Sequence, residues 1–494
     1  MHFPPRIYRF RNRISRRTFL EACAVGALGT VGFGAGLAAS FNAFASNGTL
    51  ASASSMTDQQ REFLSSEGRR YCGLTLHIIT EDTPPSRACR EIAVREFAAL
   101  TGIDVDWELA PLRRVLAKTL QDVNSKAGRY DIYYVDHSWL ATMSPHVHSP
   151  EPLLQNPEIA YPDFDFPDFL EALVDKVASH GGRLMGLPYD IPILIMAYRR
   201  DVLDSLGLAP PRTLDEYQHV VQAVQEARAP EMYGSVGQWK AGHYSLVCAM
   251  SSWLWGHGGS FFKSDGWPGF LDDQAASAMR YMLELGKYMP PGATAWDWDG
   301  QGRSFAQGGA AVAIVWSEQF PLFDDPARSS VVGLVEPSPC PQALALRPSS
   351  ETSFGETPGV SHQGGSCLAL SSYSKNITPA WMFMQWVTSR DVSVRASLLG
   401  GGASLMRRSC YEDPRIMAQK RVGPGTTRHL DVTLDAITHN MGTEPHLSGW
   451  DQLVVNGFGV ELGRMVTGQQ GVKETLRAMQ SAAGNHVRNL RPAV

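Results

Sequence analysis

The sequence lacks the features that would place it in several common protein classes. Beyond residue 45 it has no apolar stretch near the ~20 residues that a membrane-spanning helix needs. It also has no P-loop, no G-x-S-x-G motif and no H-E-x-x-H motif, which excludes three familiar kinds of catalytic site. Removing the six arginines and one glutamate of residues 1–45 from the 44 basic and 49 acidic residues leaves a net charge of −10. Such a charge speaks against a nucleic-acid partner.

Closely spaced cysteines are missing as well. The six cysteines after residue 45 form no C-x-x-C pair and show no zinc-like spacing: Cys72, Cys89, Cys248, Cys340, Cys367 and Cys410. One or two disulfides in an oxidising compartment and small buried thiols are equally open alternatives. We expect no metal ion and no cofactor.

The N-terminus, in contrast, carries a clear export pattern. Residues 15–20 read SRRTFL, a near-complete twin-arginine motif, and a glycine-rich apolar run follows at residues 22–39. Ala43-Phe44-Ala45 supplies the small-x-small pattern of a cleavage site. A membrane anchor suits this run poorly, because its five glycines make it weakly hydrophobic. We therefore predict a cleaved signal at residues 1–45 and a periplasmic protein that is soluble after cleavage.

Residues 74–136 alternate between strand and helix patterns. After a small and polar stretch at 46–70, which predicts a flexible tether, strands are expected at 74–79, 103–108 and 131–136, with helices at 86–100 and 112–125. This order is typical of a parallel sheet covered by helices on both faces. Ligands bind at the carboxyl ends of such strands, so Glu81, Asp82, Asp136 and Trp139 should share one rim.

Later segments predict further elements. Thr213 and Glu216 form a capping box at the start of a helix. Strands are expected at 311–316 and 364–370, and a helix at 379–388 should turn Trp381 and Trp386 inward. Residues 336–362 are rich in proline, serine and glutamine and predict a long surface excursion.

The order of the motifs resembles a known family. Residues 130–139, YDIYYVDHSW, look like the "YD-strand-D-x-x-W" segment of extracellular solute-binding proteins of ABC transporters, in the sugar-binding group that includes maltose-binding protein (family 1). Further matches follow in the same order at residues 186–190 with 198–201, 211–217, 296–298, 305–308 with 313–316, and 373–375. The resemblance spans roughly residues 74–485.

The resemblance implies an α/β fold of two lobes that close like a flytrap, with hinge strands crossing between them. Crossings are expected near residues 189–190, 332–335 and 400–403. Lobe one would then comprise residues 71–188 and 333–400, and lobe two residues 189–332 and 401–494.

Ligand-binding candidates follow from the resemblance and from chemistry. Flat tryptophan faces suit the C–H faces of sugars, and carboxylates accept hydrogen bonds from hydroxyls. Arg407 is similar to the family's basic residue after the last crossing and could donate a planar fork of hydrogen bonds. Most members of this group carry an aromatic residue where this chain has Ser366, so one stacking surface is missing. The candidates are Glu81, Asp136, Trp139, Asp190, Trp239, Trp296, Asp297, Trp316, Arg407 and Trp450.

These observations predict an exported, non-catalytic, monomeric binding protein. It would capture a sugar or polyol between its lobes and deliver it to an ABC importer. One alternative is a secreted carbohydrate-active hydrolase, which would use two cleft carboxylates about 5 Å or roughly 6.5–9.5 Å apart. The other alternative is a sensor that uses the same fold to signal.

Overall fold

The computed structural model describes residues 54–342, 360–401 and 405–490. The predicted signal at residues 1–45 lies outside them. The strands are, in chain order, β1 (Thr75–Glu81), β2 (Asp104–Ala110), β3 (Ile132–Asp136), β4 (Ser179–His180), β5 (Arg183–Leu184), β6 (Leu187–Tyr189), β7 (Leu194–Arg199), β8 (Tyr233–Ser235), β9 (Ala310–Trp316), β10 (Val335–Ser338), β11 (Ser361–His362), β12 (Ser366–Leu370) and β13 (Met441–Gly442).

The longer α-helices pack against the two larger sheets and against one another. They are α1 (Asp58–Gly68), α2 (Pro84–Ile92), α3 (Leu112–Ser125), α4 (Glu171–Val177), α5 (Arg200–Leu206), α6 (Leu214–Arg228), α7 (Tyr244–Gly256), α8 (Asp273–Gly286), α9 (Trp298–Ala306), α10 (Ile377–Val387), α11 (Arg390–Ala396), α12 (Leu430–His439), α13 (Gly459–Val466) and α14 (Val472–Leu490). In the described part of the chain, none is both long and apolar enough to cross a membrane.

Two sheets define the two lobes. The sheet of lobe one has the order β2-β1-β3-β12-β6, with β1 parallel to β2 and β3, and β12 antiparallel to its neighbours. The sheet of lobe two has the order β10-β7-β9-β8, with only β8 and β9 parallel. The predicted alternation of strands and helices over 74–136 is confirmed, and β1 and β3 end at Glu81 and Asp136.

Local signals predicted several elements well. Thr213 and Glu216 form the expected capping box of α6. Helix α3 spans the predicted 112–125, and Trp381 and Trp386 on α10 are fully buried. All six cysteines in the described residues are free, and only Cys72 is exposed, so buried thiols account for the other five.

The predicted tether is wrong for residues 57–68, which form an ordered helix. Thr57 caps α1 in a capping box with Gln60. Leu64 is fully buried, and Gly68 lies so close to Thr101 that a Cβ there would come within 2.5 Å of its backbone. The small polar residues of this segment hid a helix because its contacts come from distant parts of the chain.

The expected return to lobe one at residue 333 is also displaced. Strand β10 pairs antiparallel with β7 and so still belongs to the sheet of lobe two. The chain re-enters the sheet of lobe one only at β12, after β11 has paired with β13. Sheet membership, which the sequence motif does not specify, sets the boundary about 30 residues later than expected.

The third expected crossing, near residues 400–403, lies largely outside the described residues. The segment that follows was expected in lobe two but contacts lobe one. Leu170 N donates to Met406 O at 3.0 Å, and Phe169 forms a bridge with Arg407. Residues 405–411 therefore pack on lobe one, whereas Trp450 and Phe458 belong to the apolar core of lobe two, as expected.

Candidate functional site

Four carboxylates meet where the lobes join, and we call them the cleft carboxylates: Glu81, Asp136, Asp190 and Glu318. Glu81 and Asp136 end β1 and β3, as the parallel-sheet rule predicts. Asp190 follows β6 with a positive φ of 51°, and Glu318 lies just after β9. Two neighbouring strand ends of lobe one, the first crossing segment and a strand end of lobe two thus bring acidic groups together.

Burial and mutual repulsion make these carboxylates reluctant to ionise. Burial raises the pKa of Asp136 to about 7 and that of Asp190 to about 6. Burial also raises the pKa of Glu81 well above its usual value, with added repulsion from the three other carboxylates: Asp190, Glu318 and Asp136. Such a group suits a ligand that brings hydrogen-bond donors or positive charge.

Some oxygens of this group lack a donor. Asp190 Oδ2 accepts a 2.5 Å hydrogen bond from Thr83 Oγ1, but Asp190 Oδ1 has no partner among the described residues. The same is true of Glu318 Oε2. Asp136, in contrast, accepts bonds from both the backbone N and the hydroxyl of Ser138 through one oxygen. Buried acceptors without donors cost free energy, which a ligand hydroxyl or amine would recover.

A second buried group adjoins the first, and we call it the His–Glu cluster: His137, Tyr244, His362 and Glu444. Glu444 Oε1 accepts from His362 Nε2 at 2.9 Å, and Oε2 accepts from Tyr244 Oη at 3.0 Å. Burial alone would raise the pKa of Glu444, but its hydrogen bond and charge interaction with His362 hold it below its usual value. Burial lowers the pKa of His137 to about 3, so its ring is neutral.

Aromatic rings line the His–Glu cluster. Trp255 stacks on His362 with ring centroids 5.7 Å apart and an interplanar angle of 18°. Trp316, the last residue of β9, lies edge-on to His362 at 5.8 Å, and its Nε1 donates to Gln238 Oε1 at 2.9 Å. A Cβ at Gly364 would come within 3.1 Å of the Trp316 ring, so glycine allows this close approach.

Five candidates predicted from the sequence lie in or against these two groups. Glu81, Asp136 and Asp190 are cleft carboxylates, and Trp316 contacts His362. Trp450 enters indirectly, because its Nε1 donates to Glu444 Oε2 at 2.7 Å while its fully buried ring packs against Phe261. Its contacts make Trp450 a supporting residue.

Four further candidates belong neither to the cleft carboxylates nor to the His–Glu cluster. Trp139 is buried in the turn that follows Asp136. Trp239 packs in the core of lobe two, where a Cβ at Gly286 would come within 2.8 Å of its ring. Trp296 is partly buried and packs against both large apolar clusters of the described residues. Asp297 caps α9 by accepting from Gly300 N and pairs with Lys240 Nζ at 2.8 Å.

The structure does not bring Arg407 to the cleft, which corrects its expected role. Its guanidinium is buried in lobe one, 4.0 Å from the ring centroid of Phe169. It donates to the backbone carbonyls of Thr388 and Asp165 at 2.7 and 2.9 Å. These bonds join the segment after residue 404 to lobe one, so Arg407 acts in packing.

Sequence reasoning missed Glu318 and the His–Glu cluster. His137 stands inside the YDIYYVDHSW segment and Glu318 comes two residues after Trp316, so both were adjacent to recognised residues. His362 and Glu444 are 82 positions apart and meet because β11 pairs with β13. No local pattern signals that contact.

The two lobes touch across the cleft. Arg113 Nη2 donates to Gly242 O at 3.4 Å, and Gly449 N donates to Thr142 Oγ1 at 3.0 Å. Tyr244 of lobe two also approaches His137 of lobe one at 3.4 Å. These contacts describe a closed arrangement in which both groups are buried.

Residues 93–417 match the family model described as bacterial extracellular solute-binding protein. The chain belongs to this family. The match covers the sheet of lobe two, four of the five strands of the sheet of lobe one and the cleft carboxylates Asp136, Asp190 and Glu318. Strand β1 with Glu81, and Glu444 of the His–Glu cluster, lie outside the matched residues.

Relatives and solved structures agree with this solute-binding fold. The chain is 24% identical over 332 residues to a probable amino-acid ABC transporter periplasmic-binding protein of Sinorhizobium fredii, covering 66% of this chain and 71% of the relative. It is 21% identical over 368 residues to the erythritol/L-threitol-binding protein of Mycolicibacterium smegmatis, covering 70% and 72%. The structure superposes with a TM-score of 0.74 on an ABC transporter solute-binding protein of Agrobacterium radiobacter in complex with ribitol, at 22% identity, covering 84% and 99%.

Proposed function

We propose that this protein captures a polyol or a sugar between its lobes and delivers it to an ABC importer. The observation that carries the proposal is the set of buried acceptor oxygens without donors, Asp190 Oδ1 and Glu318 Oε2, at the junction of the lobes. A chain of hydroxyls supplies donors to several carboxylates at once. Trp316 and Trp255 add flat apolar faces for its C–H groups.

The names of two similar proteins support this ligand class. The Mycolicibacterium smegmatis relative is named for erythritol and L-threitol, and the Agrobacterium radiobacter structure holds ribitol. All three compounds are polyols. Polyols carry a hydroxyl donor on each carbon and have no charge. This fits carboxyl groups that are partly protonated near neutral pH.

An amine-bearing solute is the second candidate. Four carboxylates share the cleft, and Arg87 is the positive charge that acts on Asp190 and Glu318 there. An ammonium group would lower the pKa values of these carboxylates and relieve their repulsion. The Sinorhizobium fredii relative, which is named as an amino-acid binder, supports this alternative.

Binding, closing and release would follow from contacts that exist only when both lobes meet. A solute held by Asp136 of lobe one and Glu318 of lobe two favours the closed form, because each lobe alone offers half of its partners. The importer then recognises the closed shape. We expect a monomer that turns over no glycoside, even one that it binds. Steady product release that Asp136→Asn abolishes would instead identify a hydrolase.

A thermal-shift screen of the mature chain tests the ligand. The panel contains erythritol, L-threitol, ribitol, mannitol, maltose, glucosamine and free amino acids. A ligand at about 100 times its Kd stabilises the folded chain by about 2.7 kcal/mol and raises the unfolding temperature. Asp190→Asn should weaken binding of the active compound, whereas Asp106→Asn on the exposed surface should not. A panel in which nothing binds would refute the proposal, and binding by amines alone would select the second candidate.

We further propose export by the twin-arginine pathway into the periplasm. The pathway reads the arginine pair, so changing Arg16 and Arg17 together to Lys should leave the precursor unprocessed inside the cell. Processing at the normal rate would show that another route carries the protein.

A further inference from the structure

A thiol that the proposed function does not use lies against the His–Glu cluster. Cys248 on α7 is buried, and its Sγ, a ring nitrogen of His362 and a carboxylate oxygen of Glu444 all lie within 4.8 Å of one another. The three side chains come from a helix of lobe two, from the crossing strand β11 and from the segment after β13. Thiolate, imidazole and carboxylate together are ligands typical of zinc.

We propose that Cys248, His362 and Glu444 bind one divalent transition-metal ion, of which Zn²⁺ fits best. The proposal is independent of which solute the cleft takes. In a tetrahedral zinc site the ligand atoms lie roughly 3.4–3.6 Å apart, given Zn–N and Zn–O distances near 2.1 Å and Zn–S near 2.3 Å. His362 Nε2 and Glu444 Oε1, now 2.9 Å apart, need to separate by only a few tenths of an ångström.

The hydrogen bonding around the three ligands supports a metal. Trp450 Nε1 and Tyr244 Oη both donate to Glu444 Oε2, whereas Oε1 accepts from His362 Nε2 at 2.9 Å and from Ser251 Oγ at 3.4 Å. Carboxylate ligands in metal sites are held by outer partners in this way. Two fully buried ring nitrogens of the cluster, His137 Nδ1 and His362 Nδ1, have no hydrogen-bond partner among the described residues. A water on the bound ion would supply a partner for His137 Nδ1.

The ion would replace the proton of the Cys248 thiol, which passes to water, and the proton on His362 Nε2 would move through water to Nδ1 of the same ring. The ligand set would then be thiolate, neutral imidazole and carboxylate. Three protein ligands leave a fourth position open. His137 is a neighbouring imidazole, with its ring centroid 5.7 Å from that of His362. The ion would tie strand β11 and the segment after β13 to helix α7.

The test uses tag-free mature protein in a Cys72→Ser background, because Cys72 is an exposed thiol that could bind metal by itself. After chelation and removal of the chelator, one equivalent of Zn²⁺ is added and the bound metal is measured after gel filtration. We expect one zinc per chain and a higher unfolding temperature. Cys248→Ala should weaken zinc binding at least about 100-fold, since loss of outer partners alone costs 10–100-fold.

Cys410→Ala is the matched control, because Cys410 is equally buried but lies in lobe one beside Arg390 O. It should bind zinc as the parent does. X-ray absorption of the zinc-loaded parent needs no variant and should show one sulfur at about 2.3 Å. Absence of stoichiometric zinc, a zinc shell without sulfur, or equal loss in both cysteine variants would overturn the proposal.

Discussion

The molecule buries two groups of carboxylates that differ in their partners. In lobe one, Asp391 accepts hydrogen bonds from Ser55 N at 2.7 Å and Ser54 Oγ at 3.0 Å. It also pairs with Arg395 at 3.2 Å and Arg415 at 3.4 Å, and we call this the paired network. The cleft carboxylates have no such cations in contact, and two of their oxygens have no donor among the described residues.

The two groups respond to burial in opposite directions. Burial would raise the pKa of Asp391, but the Ser55 N–H, Arg395 and the serine hydroxyls hold it below its usual value. Burial raises the pKa of Asp136 to about 7 because its surroundings do not compensate. Equal burial therefore has two outcomes: a paired carboxylate fastens the fold, and an unpaired one is left for a partner from outside.

Breaking the paired network should give the largest loss of stability. Asp391→Asn removes the charge that faces Arg395 and Arg415, and the side chain of Arg395 is only 2% exposed. We expect a loss of about 3 kcal/mol in the free energy of unfolding, because several buried charge-assisted hydrogen bonds to Asp391 are weakened. The loss is not larger, because Arg395 keeps Glu96 and Arg415 keeps Asp413. Urea unfolding of the mature chain without ligand measures it.

The control for that change is Asp106→Asn. Asp106 pairs with His77 on the surface, where its side chain is 69% exposed, and the change should stay within about 0.5 kcal/mol. A loss below about 1 kcal/mol for Asp391→Asn would show that the paired network does not fasten lobe one.

Removing a charge from the cleft should raise the stability of the unliganded protein instead of lowering it. The folded chain keeps a proton on Asp136 up to about pH 7, whereas the unfolded chain releases it near the usual value of 3.8. Between these values the folded state binds more protons at Asp136. The contribution of this group to stability is therefore most favourable below about pH 4 and is lost as the pH rises through 7. The loss from this group amounts to at most roughly 4 kcal/mol at pH 8.

Asp136→Asn removes that loss. The unliganded variant should be about 2–4 kcal/mol more stable than the parent at pH 8 and nearly equal to it at pH 4. Its Oδ1 still accepts from Ser138, so the turn after β3 is kept. Glu444 and His362 also face Asp136, and their charges act on it in opposite directions. Parallel stability curves for variant and parent between pH 4 and pH 8 would contradict the comparison.

The sequence predicted what local chemistry decides. The capping box of α6 and helix α3 depend on neighbouring residues, and the strand ends at Glu81 and Asp136 depend on one simple sheet rule. Contacts between distant segments were missed. Arg407 follows the family pattern in sequence but points to Thr388 O and Asp165 O, because residues 405–411 pack on lobe one.

The sequence predicted some residues of the cleft but not their environment. Asp136 and Trp316 end strands that the pattern predicted, and Asp190 lies at the first expected crossing. The raised pKa values of Asp136 and Asp190 and the missing donor of Asp190 depend on packing between distant segments, and no single segment contains that information. The partner of His362 lies 82 positions away, and only the pairing of β11 with β13 joins them.

The ion pair of Lys240 and Asp297 has a cation, as the paired network does, but it is more exposed to solvent. Breaking it should have the smallest effect on stability. The side chains are 43% and 26% exposed, and their N–O distance is 2.8 Å. Lys240→Gln should cost about 0.3–1 kcal/mol of stability, because solvent screens a pair of this kind. Asp297 keeps its bond from Gly300 N, so the cap of α9 survives the change.

The dependence on salt concentration distinguishes this exposed pair from a buried one. Urea unfolding of parent and Lys240→Gln at low salt and at about 1 M salt should show the difference shrinking towards zero, since the screening length falls to about 3 Å. The matched measurement on Asp391→Asn should change little, because that network is shielded from the solvent. A loss above about 2 kcal/mol for Lys240→Gln that persists in salt would place Asp297 with the paired network. Asp297 would then act in fastening the fold of lobe two, and its predicted role in binding a solute would have to be given up.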